Sequence, residues 1–127
     1  MNIAILTAGG VGSRTHQDIP KQFIHVNNKP VIIYTLEAFQ KHPNVDEICV
    51  AILEGWDQIL WAYAKQFNIT KLKYVVTGGT TGQESIFNGL SAIRKDHSIS
   101  KQIKLKLQPE LLKVMLTIST KVSMLML

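Results

Sequence analysis

"NIAILTAGGVGSRTHQDIPKQF", residues 2–23, joins a short apolar run to a turn with glycine at positions 9, 10 and 12, then adds Arg14 and the pair Pro20-Lys21. An apolar run of this length closed by glycine is the pattern of a strand buried on both faces. A glycine-rich turn behind such a strand lets main-chain N–H groups close on phosphate oxygens, and Arg14 and Lys21 carry the charge that would neutralise them. Two readings stand at this point. One is a phosphate cradle; the other is a surface loop with two solvated cations, in which Gly10 and Gly12 serve only to turn the chain.

Beyond the loop the hydrophobic period changes from segment to segment. Pro30 suits the first turn of a helix, and Ile33, Leu36 and then Phe39 or Gln40 follow at helical spacing until "KHPN" at 41–44. "EICVAIL", 47–53, reads as a second buried strand. Ile59, Leu60, Tyr63 and Phe67 mark a second amphipathic helix, and residues 72–77 a third strand. Thr81 and Glu84 have the spacing of a capping box, so a third helix opens there with Ile86, Leu90 and Ile93 as its buried stripe. Regular alternation predicts an α/β fold: a Rossmann-like parallel sheet with right-handed crossovers and helices on both faces. Ligands of such sheets sit beyond the carboxyl ends of the strands, where the glycine turns at 9–12 and 78–82 both fall.

Composition bounds the function. A chain of 127 residues, 46% hydrophobic and 18% charged, is globular and can bury roughly two thirds of its unfolded surface without a disulfide or metal. The single cysteine, Cys49, lies in an apolar run and reads as a small buried hydrophobe, which fits a reducing, cytoplasmic setting. No secretion signal and no apolar run long enough to span a bilayer is visible, so a soluble protein with no membrane partner is expected. The net charge of +5 invites a nucleic-acid reading, but its location argues against one. Residues 1–97 hold nine Lys or Arg and eight Asp or Glu, whereas residues 98–127 hold five lysines and one glutamate. That basic tail has no aromatic residue on which a base could stack.

Two nucleotide motifs are excluded by spacing. The dinucleotide fingerprint G-x-G-x-x-G fits Gly10 and Gly12 but meets Thr15 at its third glycine, and the acidic residue expected about 20 positions later is missing. No Gly-Lys-Ser or Gly-Lys-Thr occurs, which sets aside the P-loop.

What remains is A-G-G-x-G-S-R followed by P-K-Q-F. "TAGGVGSRTHQDIPKQF", "KPVIIYTLEAF" and "VTGGTTGQESIFNGL" together resemble the N-terminal half of the cytidylyltransferases that make CDP-methylerythritol or CDP-ribitol, over residues 1 to about 97. The resemblance implies transfer of a cytidylyl group from CTP to 2-C-methyl-D-erythritol 4-phosphate or D-ribitol 5-phosphate, with magnesium as cofactor and a homodimer as the family's assembly. It further implies that the backbone of Ala8, Gly9, Gly10, Val11 and Gly12 packs on the nucleotide and that Arg14 grips the triphosphate. Lys21 would stabilise charge around the α-phosphorus, with Pro20 fixing the backbone that presents it. Gly79, Thr80 and Ser85 would line the base pocket. Such residues suit the chemistry, because negative charge crowds a nucleotidyl-transfer transition state and placed cations and N–H donors offset it.

Other conspicuous residues have structural readings. His16, His25, His42 and His97 show no metal-ligand spacing and read as structural or solvated. Trp56, Trp61, Tyr63 and Phe67 read as one helix packing on the sheet. The chain also departs from the family. Gly82 stands where its members commonly carry arginine. The His-Asp and Arg-Pro motifs, whose aspartate helps hold magnesium, have no counterpart in "KQIKLKLQPELLKVMLTISTKVSMLML", so no metal ligand is assigned. The shift in composition divides the chain into a nucleotidyltransferase part, 1–97, and an atypical tail, 98–127, expected to derive from a shifted reading frame or a cut gene. In that tail Leu105, Leu107, Leu111, Leu112, Met115 and Leu116 could pair with the sheet or cover it. Two functions stay open: a cytidylyltransferase, or a non-catalytic remnant that binds nucleotide weakly.

Overall fold

A computed structural model describes residues 2–8, 19–97, 104–106 and 121–126. Strand β1 (Asn2–Ala8) is followed by a 3-10 turn (Lys21–Phe23), a hairpin of β2 (His25–Val26) and β3 (Lys29–Pro30), and helix α1 (Val31–Lys41). Then come β4 (Glu47–Ile52), α2 (Asp57–Gln66), β5 (Leu72–Thr77) and α3 (Gly82–His97). Two tail strands complete the described elements, β6 (Lys104–Lys106) and β7 (Lys121–Met126). No described helix is long and apolar enough to cross a membrane.

The main sheet has the order β5-β4-β1-β7-β6. The three strands expected from the apolar runs pair in parallel, with Ala8 opposite Ile52 and Ile52 opposite Thr77, so their carboxyl ends finish level. The two tail strands are antiparallel: β7 pairs with β1 and β6 with β7. Pairing is therefore the course taken by the described parts of the tail, and the sheet is mixed rather than wholly parallel. Leu105 lies opposite Leu125, while Leu107, Leu111, Leu112, Met115 and Leu116 fall outside the described residues.

Alternation along the central strands builds two cores. Ala4, Leu6 and Ala8 of β1 and Ile48, Val50 and Ile52 of β4 join the α1 and α2 side, where Ile32, Ile33, Leu36, Phe39, Leu60 and Ala64 are buried. Ile3, Ile5 and Cys49 point the other way and meet Ile93 of α3. Burial on both faces explains the unbroken apolar runs. Of the two candidates for the end of the α1 stripe, Phe39 is the buried one. Gln40 instead bonds the far side of the fold, accepting from Lys71 N–H (2.8 Å) and donating to Thr70 Oγ1 (2.7 Å).

Local signals account for several boundaries. Asn27 and Asn28, at φ 52° and 63°, form the two-residue turn between β2 and β3, in the left-handed conformation that asparagine tolerates. Asn68, at φ 57°, ends α2: Ile69 N–H donates to Ala64 O (2.8 Å) and Asn68 N–H to Lys65 O (3.4 Å), a Schellman arrangement.

Three sequence expectations are corrected. Ile59, placed on the α2 stripe, is exposed, because Ala64 rather than a larger residue completes the buried face with Leu60. Trp61 is exposed too, whereas Trp56, Tyr63 and Phe67 do pack against the core. On α3, Ser85, Gly89 and Ile93 are the buried line, with Ile86 and Leu90 half-buried beside it. A Cβ at Gly89 would lie 3.1 Å from Cys49 Sγ and 3.2 Å from Ile5 Cγ2, so glycine lets α3 settle closely on the sheet. Gly89→Leu is expected to destabilise by about 2–3 kcal/mol through overpacking, outweighing the ~1 kcal/mol of helix propensity regained, as a lowered urea midpoint at unchanged slope.

Cys49 is fully buried, and burial pushes its thiol up to about 12. Its neutral form is favoured in the fold, so the stability it contributes is complete below the ordinary thiol range and falls as pH rises toward 12. A loss of ~1.4 kcal/mol per pH unit is expected to begin above about pH 9 in denaturation series run from pH 8 to 11, and in Cys49→Val its onset is expected to move up to about pH 10, where Tyr74 takes over. Tyr74 acts with the same sign: burial first, then its hydrogen bond to Asp96 (2.7 Å) and the charges of Glu47 and Asp96, hold its phenol protonated.

Candidate functional site

The level carboxyl ends of β1, β4 and β5 bring distant parts of the sequence together at Ile52. Ala8 pairs with it on one side and Thr77 on the other, and its carbonyl accepts from Gly78 N–H (2.7 Å). Ala8 is buried in the core on the α1 and α2 side. Gly9, Gly10, Val11, Gly12 and Arg14, the remainder of the first glycine turn, lie outside the described residues.

Lys21 opens the 3-10 turn. Pro20 precedes it at φ −56°, ψ 143°, and its carbonyl accepts from Phe23 N–H (2.9 Å), so the proline holds the turn as its locked φ requires. The turn directs its side chains in opposite senses: Lys21 is exposed while Gln22 and Phe23 are buried. Phe23 stacks on Trp56 with ring centroids 4.7 Å apart and tilts against Tyr63 at 6.3 Å. Trp56 follows the carboxyl end of β4 through Gly55, whose φ of +87° turns the chain, and its carbonyl accepts from Leu60 N–H (3.0 Å) at the head of α2. One aromatic stack thus anchors the lysine's turn to the edge where the strands end.

Two of the histidines have partners within the fold. His25 Nε2 meets Tyr63 Oη at 3.3 Å, and His42 Nδ1 accepts from Asn44 N–H (3.1 Å); His16 lies outside the described residues. Lys29 is tied down as well, 2.6 Å from Glu37 Oε1 and over the rings of Tyr34 and Phe67.

The second glycine segment is bound to its own helix. Thr81 caps α3 by accepting from Glu84 N–H through Oγ1 (3.1 Å), which is half of the expected capping box. The other half is displaced by one residue: the Glu84 carboxylate accepts from Thr80 N–H (3.1 Å) and from the Thr80 hydroxyl (2.8 Å). Ser85 is buried, and its Oγ accepts from Gly79 N–H (2.9 Å). Gly79, Thr80 and Ser85 are therefore brought together, with Ser85 acting through Gly79 rather than facing outward. Asn88, one turn on, donates to Thr77 O (3.0 Å) and fastens α3 to the end of β5. Sequence reasoning passed over Trp56, Glu84 and Asn88 as members of this edge; for Glu84 the capping spacing was the available signal.

Among the described residues no three His, Cys, Asp or Glu side chains gather closely enough to hold a metal ion. Gly82 has open space around it and no strained φ. Arginine is therefore sterically admissible there, and Gly82→Arg is expected to shift stability by no more than about 1 kcal/mol, a small loss from placing a cation at a helix N-terminus, read by thermal denaturation.

Comparison with known proteins follows the same edge. The family model described as IspD, 2-C-methyl-D-erythritol 4-phosphate cytidylyltransferase, matches residues 2–103. The chain is 49% identical over 90 residues to a ribitol-5-phosphate cytidylyltransferase of Lacticaseibacillus paracasei, covering 71% of this chain and 38% of that protein. It is 50% identical over 97 residues to a ribitol-5-phosphate cytidylyltransferase of Vibrio parahaemolyticus, covering 76% and 41%. It is also 39% identical over 95 residues to a 2-C-methyl-D-erythritol 4-phosphate cytidylyltransferase of Clostridium botulinum, covering 75% and 42%. The chain thus spans about two fifths of the length of these relatives.

Proposed function

Because this chain belongs to the 2-C-methyl-D-erythritol 4-phosphate cytidylyltransferase family, we propose that it forms the nucleotide-binding part of a cytidylyltransferase, with CTP at the carboxyl edge of β1, β4 and β5. The carrying observation is the convergence at Ile52 of the end of β1 and the 78–85 segment, with the Lys21 turn anchored beside it through Trp56. In the reaction a phosphate oxygen of a sugar-alcohol phosphate attacks the α-phosphorus of CTP. The bond from that phosphorus to the bridging oxygen breaks, and pyrophosphate leaves with the electron pair.

The exposed ammonium of Lys21 supplies charge to the α-phosphoryl oxygens, where negative charge accumulates, and a turn locked by Pro20 and Phe23 spends little entropy in placing it. Arg14 and the N–H groups of residues 9–12 belong to the same reading, on the triphosphate. Magnesium, carried on the triphosphate, would supply further neutralisation; the described residues do not themselves form its site. Relatives of higher identity bear the ribitol-5-phosphate name, which favours D-ribitol 5-phosphate as acceptor over 2-C-methyl-D-erythritol 4-phosphate. A second reading is that these residues bind CTP without turning it over.

Calorimetric titration of the chain with CTP, together with pyrophosphate release in CTP, magnesium and either polyol phosphate, separates the readings. Binding with release supports the enzyme, binding alone the second reading, and neither removes both.

A further inference from the structure

The tail returns to the carboxyl edge of the sheet with a charge. Strand β7 runs antiparallel to β1, so its first residue, Lys121, lies opposite Thr7, one position before the end of β1, while Met126 lies opposite Asn2. Lys121 is the one charged residue of β7. That distribution holds the register. The next position inward on the same face of β1 is Ile5, fully buried, so a slide of β7 by two residues would carry a charge to a place shielded from water.

Sheet geometry sets where Lys121 stands relative to Lys21. Along β1, Leu6 and Ala8 belong to the α1 and α2 side, so Thr7 and its register partner Lys121 take the face of Ile3 and Ile5, on the side of α3. The turn carrying Lys21 is anchored on the other face, since Phe23 packs in the α1 and α2 core. One edge is thus supplied with a lysine from each face. Across β1, the strand ends are followed by the opposite sign: Glu54 and Asp57 come after β4, and Glu84 stands in the first turn of α3, after β5. A polyphosphate laid along this edge is repelled from the β4 and β5 half and drawn toward β1 and β7.

We propose that Lys121 is a phosphate-binding residue: with Lys21 on the opposite face, it holds the triphosphate of the nucleotide at the β1 and β7 end of the carboxyl edge. The proposal rests on the nucleotide-binding reading above and adds to it a cation from the tail, beyond the residues 2–103 that the family model matches.

The test is calorimetric titration of the full chain with CTP, CMP and inorganic tripolyphosphate, for wild type, Lys121→Ala, Lys121→Arg and Lys104→Ala. Lys104 belongs to the same tail but lies opposite Met126, level with the amino end of β1, so it carries the tail's charge without the position. Lys121→Ala is expected to weaken CTP and tripolyphosphate about fivefold, the scale of one ion pair at a hydrated edge, and CMP by less than about twofold. Lys121→Arg recovers most of the affinity, and Lys104→Ala changes it by less than about twofold, its distance from the edge being screened. Loss of structure would weaken CMP along with CTP, so the contrast between the two separates contact from folding. Lys121→Gln, which keeps an uncharged stem, serves if Lys121→Ala does not fold. CTP and tripolyphosphate bound equally by wild type and Lys121→Ala overturn the proposal and leave the proposed function standing. An equal loss in Lys104→Ala overturns it too, because the tail's charge would then act without regard to place. Tripolyphosphate binding that depends on Lys121 in a chain that ignores CTP and CMP removes the proposed function and keeps the phosphate site. A wild-type chain that binds neither CTP nor tripolyphosphate removes both.

Discussion

Replacing Lys21 by alanine is expected to lower pyrophosphate release from CTP at least about a hundredfold, the loss that follows removal of one charge placed for the transition state. The fold should not notice. Lys21 is exposed, and among the described residues its ammonium makes no ion pair or hydrogen bond, so a stability change within about 0.5 kcal/mol is expected. An interaction made chiefly in the transition state lowers kcat and kcat/KM together, whereas a lysine serving only to collect the triphosphate would raise KM alone. Lys21→Arg keeps the charge on a longer, planar group and should recover part of the rate. Turnover indifferent to Lys21→Ala would return this residue to the surface-cation reading.

The second large effect concerns what stands behind that lysine. Phe23 is buried, stacked on Trp56 and tilted on Tyr63, within the core on the α1 and α2 side. Phe23→Ala is expected to cost about 3–5 kcal/mol through lost burial and the cavity left between the rings. For a chain of this size that lowers the melting temperature by roughly 10 °C or more. Phe23→Leu fills much of the cavity and should cost less than half as much. Where the fold survives, Phe23→Leu should still reduce turnover more than CTP affinity, because the turn carrying Lys21 has lost its aromatic anchor. A melting temperature within 3 °C of wild type for Phe23→Ala would show that the stack adds little.

How far sequence alone reaches differs between fold and site. Strands β1 and β4 were legible because burial on both faces leaves apolar runs such as Ile3–Leu6 and Ile48–Ile52, and glycine or charged residues close them, while β5, at the end of the sheet and mostly half-buried, was legible from the run Tyr74–Val76 before the glycines at 78 and 79. Helix α1 was legible because Ile33, Leu36 and Phe39 repeat at helical spacing. The buried line of α3 was not, since two of its members are Ser85 and Gly89, which carry no hydrophobic signal. Ile59 misled for the converse reason, an apolar residue left outside. The antiparallel pairing of β7 with β1 is a contact across the whole chain, which local periodicity cannot encode.

At the site, chemistry-bearing residue types were recognisable but their supports were not. Gly79, Thr80 and Ser85 do assemble, yet the partner that orients Thr80 is reached by a side chain bending one residue past its usual capping target. Trp56 lies 33 positions beyond Phe23, and nothing in either segment announces that they stack.

That stack also makes the molecule its own optical probe. The two tryptophans occupy unlike surroundings: Trp56 half-buried on Phe23 at 4.7 Å, Trp61 more than a third exposed on α2. Emission from the first reports on the ring beneath the lysine's turn, while the second supplies a solvent-coloured background that Trp61→Phe would remove. A single intrinsic fluorophore would then follow, without a label and in real time, whether that turn shifts as a nucleotide arrives.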